Sequence, residues 1–140
     1  MSSIPEKLQK KIRRQAQNRC GYCLLPQSLN PALLEIEHLL PTVKGGTDNE
    51  ENLWLGCRLC NGYKGVQTDA VDPETKQRVP LFNPRTQVWR EHFSWDESGS
   101  RIVGKTACGK ATVQALKLNN EIIVPVRQKW VLVGWFPPQN

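Results

Sequence analysis

At 140 residues and 39% hydrophobic content, the chain has room for one modest domain, or a compact module with a second small lobe, which excludes two independent cores. No stretch approaches the roughly 18 apolar residues that span a bilayer, and MSSIPEKLQKK lacks the apolar run of a signal peptide. A reducing cytoplasm and no membrane partner are therefore expected. The net charge of +6 is concentrated before Cys20, where Lys7, Lys10, Lys11, Arg13, Arg14 and Arg19 face Glu6 alone, a balance that favours a polyanion, although a solvated helix face looks the same.

From Pro5 the spacing of Leu8, Ile12 and Ala16 predicts a basic helix ending near Asn18, with Ser3 or Pro5 in its first turn. Cys20 to Asn30 reads as a turn or knuckle. Leu33 to Leu40, with Leu34 and Ile36 opposite Glu35 and Glu37, reads as a strand with one covered face and His38 at its far end. Pro41 and the segment Lys44-Gly45-Gly46-Thr47-Asp48-Asn49 predict an exposed loop, Asn52 to Leu55 a short apolar step, and Asn61 to about Ala70 a helix. Asp72-Pro73-Glu74-Thr75 is a turn, and Pro80 to Pro84 an extended crossing segment. The chain therefore divides into a core, 1–79, and an extension, 80–140.

In the extension, a short helix is expected around Arg85 to Glu91, then a strand pair placing Phe93 and Trp95 opposite Ile102 and Val103 across a Glu97-Ser98-Gly99 turn. A helix capped by Thr106 should follow from about Ala107 to Leu118. Ile122 to Trp135 has helical spacing but is β-branched and contains Pro125, so helix and strand both stay open. Trp89, Trp95, Trp130 and Trp135 are expected to pack the lobe, and His92 to be structural rather than a second catalytic group.

Small cores need staples, which directs attention to the five cysteines. Cys20-x-x-Cys23 and Cys57-x-x-Cys60 each offer two thiolates, and two such knuckles match the four-ligand tetrahedron of structural zinc. Isolated buried thiols and a redox dithiol are the alternatives. A closed four-thiolate site has no position for water, so this metal would hold the fold rather than do chemistry. Cys108 is left over as an ordinary residue.

Between and just past the knuckles stand Ile36-Glu37-His38-Leu39-Leu40-Pro41, Gly45-Gly46, Asn52-Leu53, Cys57-x-x-Cys60-Asn61 and Lys64-Gly65, with Arg19-Cys20-Gly21-Tyr22-Cys23 before them. Over roughly residues 16 to 65 this order and spacing resembles the HNH, or His-Me finger, endonucleases and their zinc-knuckle subclass. Leu81-Phe82-Asn83-Pro84-Arg85 and Gly109-Lys110-Ala111-Thr112-Val113 are similar to the tail of short stand-alone bacterial and cyanobacterial members. The resemblance implies an α+β fold: a ββα-metal core stapled by the four-cysteine zinc site, with the N-terminal basic helix and a small C-terminal α/β extension packed on the core.

By position it implies that His38 is the general base, Asn52 holds the base loop, and Asn61 stands at a third site where histidine is more usual. Glu37 stands where aspartate is more usual. It further implies a catalytic divalent ion held by Glu37 and Asn61. Oxygen donors favour Mg2+ or Mn2+, and Glu35 on the same strand face is a substitute ligand. Phosphodiester hydrolysis needs a base for water and a Lewis acid for the leaving oxygen, and an imidazole can accept the proton near neutral pH. Products with a 5′-phosphate and a 3′-hydroxyl follow from the resemblance. Lys10, Arg13, Arg14, Lys44, Arg58 and Lys64 are the expected phosphate contacts, DNA the expected partner, and a monomer or weak oligomer the expected state. The competing reading is a non-catalytic zinc-knuckle module that only binds nucleic acid.

Overall fold

The computed structural model describes residues 4–138, so Ser3 lies outside the described residues. Short helices and two-stranded antiparallel sheets form two compact units. One comprises residues 4–68 with Asn83–Thr86, the other Asp69–Phe82 with the chain from Gln87 onward. Among the described residues no helix is long and apolar enough to cross a membrane.

In the first unit, α1 (Glu6–Gln15) starts directly after Pro5, whose fixed φ suits a helix entry. It stops short of Asn18 because Gln17 and Asn18 both adopt φ of 56°, and the Asn18 amide turns back onto the Arg13 carbonyl. Ile12 and Ile4 pack with Leu53, flanked by Leu8 and Ile36, so the apolar stripe of α1 covers one face of a hairpin. That hairpin pairs β1 (Glu35–His38) with β2 (Leu53–Gly56) in the register Glu35↔Gly56, Ile36↔Leu55, Glu37↔Trp54, His38↔Leu53. The helix α2 (Arg58–Lys64) follows at once and is shorter than expected, because Gly65 takes a positive φ and the chain extends beyond it.

Arg85 stitches this unit together. Its Nε donates to the Leu53 carbonyl at 3.0 Å, an Nη donates to Gln15 Oε1 at 2.8 Å, and its guanidinium lies 4.9 Å from the Trp54 ring centroid. The Asn-Pro-Arg run thus fixes α1 to β2.

The second unit opens with a hairpin that hydrophobic patterning did not reveal, β3 (Asp69–Val71) against β4 (Arg78–Pro80). Its turn is the Asp-Pro-Glu-Thr segment: the Asp72 carboxylate accepts hydrogen bonds from the Thr75 hydroxyl and from the Glu74 and Thr75 amides. The single-turn α3 (Trp89–His92) leads into β5 (Phe93–Trp95), paired with β6 (Ile102–Gly104) so that Trp95 faces Ile102 as expected, whereas Val103 lies opposite Ser94 and Phe93 opposite Gly104. The helix α4 (Ala107–Ala115) is capped by Thr106, whose Oγ1 accepts the Gly109 amide at 3.0 Å.

The last element is a helix, α5 (Ile123–Leu132), which settles the open choice. Pro125 falls in its first turn, where an amide would have no intrahelical partner to lose. Trp89, Trp95, Trp130, Phe93 and Phe136 form a chain of ring contacts with centroids 4.9–5.7 Å apart. Trp135 does not join them and is 62% exposed. His92 is bonded through Nδ1 to the Thr106 hydroxyl at 2.8 Å and lies against Phe82, in keeping with a structural part.

Asn119 completes the β6 edge: its Oδ1 accepts the Ile102 amide at 2.7 Å and its Nδ2 donates to the Ile102 carbonyl at 2.8 Å. Asn119→Ala strands both backbone groups of a buried residue, and is predicted to lower stability by about 1–3 kcal/mol. Urea denaturation followed by tryptophan fluorescence measures it, and an unchanged midpoint would contradict this role.

Candidate active site

The four paired cysteines come together. Cys20 and Cys23 lie in the knuckle after α1, closed by Cys20 N donating to the Leu25 carbonyl, and Cys57 and Cys60 lie at the start of α2. All four are buried, none is in a disulfide, and their Sγ atoms lie within 4.8 Å of one another, Cys23 and Cys57 at 3.7 Å. Zinc–thiolate bonds of about 2.3 Å in a tetrahedron place sulfurs about 3.8 Å apart, so the cage is sized for that ion. Amides of Tyr22 and Cys60 donate to Cys20 and Cys57 Sγ at 3.4 Å, as fits thiolate acceptors.

The thiols also interact as a set. Hydrogen bonds from Cys20, Cys23 and Cys60 hold Cys57 far below its ordinary value, whereas bonding to Cys20 and Cys57, with burial, holds Cys23 and Cys60 well above theirs. Full ionisation therefore needs a cation inside the cage.

Strand alternation divides the residues expected around the catalytic ion. Ile36 and His38 share the face covered by α1, and Glu35 and Glu37 share the other, which α2 covers. Glu37, expected at the open end of a half-covered strand, is instead 7% exposed. Its Oε2 accepts the Tyr22 hydroxyl at 2.7 Å, and its Oε1 lies 3.1 Å from Lys64 Nζ, in charge contact but not aligned as a hydrogen bond. Burial pushes the Glu37 carboxyl up, against the pull of the Lys64 charge and the Tyr22 hydroxyl. The same burial, with the Glu37 charge, raises Tyr22 well above the usual phenol value.

Asn61, one helical turn before Lys64, donates through Nδ2 to Glu35 Oε1 at 3.0 Å and packs over Gly56. A Cβ at Gly56 would lie 2.4 Å from Asn61 Oδ1, so only glycine lets α2 approach β2 this closely. Among the described residues, Glu37 Oε1 and Asn61 Oδ1 are the buried side-chain oxygens left without a hydrogen bond.

His38 ends β1 with its side chain 26% exposed, and its Nε2 lies 2.7 Å from Asp48 Oδ1. Asp48 was not singled out from the sequence, where it is one turn former among several. The loop carrying it is clamped by Asn52, whose amide bonds Leu40 N at 2.8 Å, Leu40 O at 3.1 Å and Thr47 O at 2.8 Å. A Cβ at Gly46 would meet the Leu40 oxygen at 1.7 Å, which accounts for a glycine inside the clamp.

The basic residues separate as well. Lys10, Arg13 and Arg14, with Gln17 and Asn18, line a groove of about 480 Å³, while Arg13 also donates to the Leu34 carbonyl at 2.7 Å. Lys44 and Arg58 are exposed. Lys64 is not a surface cation: it is 3% exposed and faces Glu37.

Residues 20–67 match the HNH endonuclease family, which spans both knuckles, the hairpin and α2, roughly a third of the 140 residues. Neither the curated proteins nor the solved structures give a match to the chain.

Purified protein is predicted to carry one zinc per chain by elemental analysis. Stripping it with a strong chelator should abolish the cooperative melt of the first unit, because a structural zinc site contributes its binding energy to folding. Retention of that melt in metal-free protein would contradict the bracing role.

Proposed function

We propose that the protein is a metal-dependent HNH endonuclease that hydrolyses phosphodiester bonds in DNA, with residues 1–79 as its nuclease core. The observation that carries this reading is the His38–Asp48 pair, set within the stretch that matches the family. The sequence strand, strand, helix of β1, β2 and α2 supports reading that stretch as a ββα-metal core.

The chemistry follows from the ring. With Asp48 accepting at Nε2, the imidazole proton is drawn to that nitrogen and the Nδ1 lone pair is left for a water. His38 takes the water proton at Nδ1 as the hydroxide attacks phosphorus, and the Asp48 carboxylate stabilises the imidazolium that forms. Asn52 keeps the loop, and so the carboxylate, in register with the ring. The groove lined by Lys10, Arg13 and Arg14, with Lys44 and Arg58, supplies phosphate contacts that salt weakens.

The donor set fits a hard divalent ion, since the two orphaned oxygens belong to Glu37 and Asn61, the residues that would hold it. Mg2+ or Mn2+ there would supply Lewis acidity towards the phosphate and the leaving 3′-oxygen, yielding 5′-phosphate and 3′-hydroxyl ends. Structural Zn2+ in the cysteine cage braces the scaffold. A second reading, a nucleic-acid-binding module without catalysis, draws on the ion pair of Lys64 with Glu37 Oε1, which sets a cation beside that oxygen already.

Supercoiled plasmid incubated with zinc-loaded protein and Mg2+ or Mn2+ separates the two. Wild type is predicted to nick it, His38→Ala to lose about 100-fold or more, and Asp48→Asn to fall between, with zinc content unchanged in both. Equal nicking by wild type and His38→Ala would remove His38 from the mechanism, and binding without nicking would favour the second reading.

A further inference from the structure

The cation partner of Glu37 is already part of the chain. Lys64 Nζ lies 3.1 Å from Glu37 Oε1, 3.2 Å from the Leu39 carbonyl and 3.4 Å from the His38 carbonyl, and the side chain is almost wholly buried. Two backbone carbonyls accept hydrogen bonds from the ammonium and a carboxylate oxygen lies in charge contact with it, so three oxygens converge on it as a cradle for a cation. Along the same face of α2, one turn earlier, stands Asn61 with its orphaned Oδ1. The four oxygens are hard donors, the kind that Mg2+ or Mn2+ takes. An ammonium and a divalent ion cannot share one carboxylate oxygen without strong like-charge repulsion.

We propose that Lys64 is the built-in occupant of this cation site, and that a divalent ion binds at Glu37 and Asn61 only by displacing its ammonium. The proposal rests on the metal-dependent reading above and adds a competitor to it. In the ion-free protein the Lys64 ammonium supplies the counter-charge beside the buried Glu37 carboxyl. Mg2+ affinity is accordingly weak, and entry of the ion swings Lys64 out of the cradle. The oxygens of Glu37 and Asn61, now closed off, open to ion and solvent in the same movement.

Mn2+ binding to the zinc-loaded full chain, read from the loss of the free Mn2+ electron paramagnetic resonance signal, tests this without reference to cleavage. Lys64→Met is predicted to bind one Mn2+ about tenfold tighter than wild type or better, because the competing charge is gone. Glu37→Gln combined with Lys64→Met should abolish the gain. Affinity in Lys64→Met equal to or weaker than wild type overturns the proposal.

Because Lys64→Met leaves Glu37 buried without its counter-ion and can fail to fold, the wild-type protein supplies a second readout. The ¹⁵N resonance of the Lys64 ammonium, assigned by its disappearance in Lys64→Arg, should shift and lose its protection from solvent on saturation with Mg2+. An unmoved, still protected signal at saturating Mg2+ overturns the proposal. Tighter Mn2+ binding in Lys64→Met without plasmid nicking by wild type would sink the nuclease reading alone, whereas nicking with unaltered affinity would sink this proposal alone.

Discussion

Four sulfurs set the geometry of the first unit. The knuckle after α1 and the first turn of α2 are far apart in the chain. The cage of Cys20, Cys23, Cys57 and Cys60 ties those two segments together, and β1 and β2 run in the loop it closes. Cys57 is at once ligand candidate and helix cap, its Sγ accepting the Cys60 amide, so the cage also fixes where α2 begins. Everything that α2 presents to the hairpin, Asn61 above Gly56 and Lys64 beside Glu37, depends on that anchoring.

The hairpin consequently has two different faces. On one, Ile36 and Leu53 meet α1 in an ordinary apolar contact, and His38 stands at its end where the Asn52-clamped loop brings Asp48 to the ring. On the other, carboxylates and an amide from β1 and α2 are packed together with a lysine, an arrangement that is costly unless every charge has a counter-charge. A chain that needed only to fold would be better served by apolar residues there. The HNH match covers the residues of both faces.

The parts legible in the sequence are those governed by local rules. Paired cysteines announce their cage by two-residue spacing, Thr106 announces a helix start, and the turn-rich run after Pro41 announces a loop. Asn52 entered only through the resemblance, and in the structure it makes three hydrogen bonds to the backbone of the loop. The illegible parts depend on what packs against what. Alternation in β1 separates Glu37 from His38, yet nothing local says that both faces are covered, so Glu37 and Lys64 read as exposed when they are buried against each other. Asp48 carries no signal of its own, because its partner comes from a strand ten residues away. The β3–β4 hairpin is too short for a periodic pattern to stand out.

Zinc K-edge X-ray absorption on the purified full chain addresses the bracing claim most directly. Four sulfur scatterers at about 2.3 Å, with no nitrogen or oxygen ligand, are predicted. A coordination shell containing fewer than four sulfurs, or an oxygen from water, would contradict a closed cysteine cage and with it the account of how α2 is held against the hairpin.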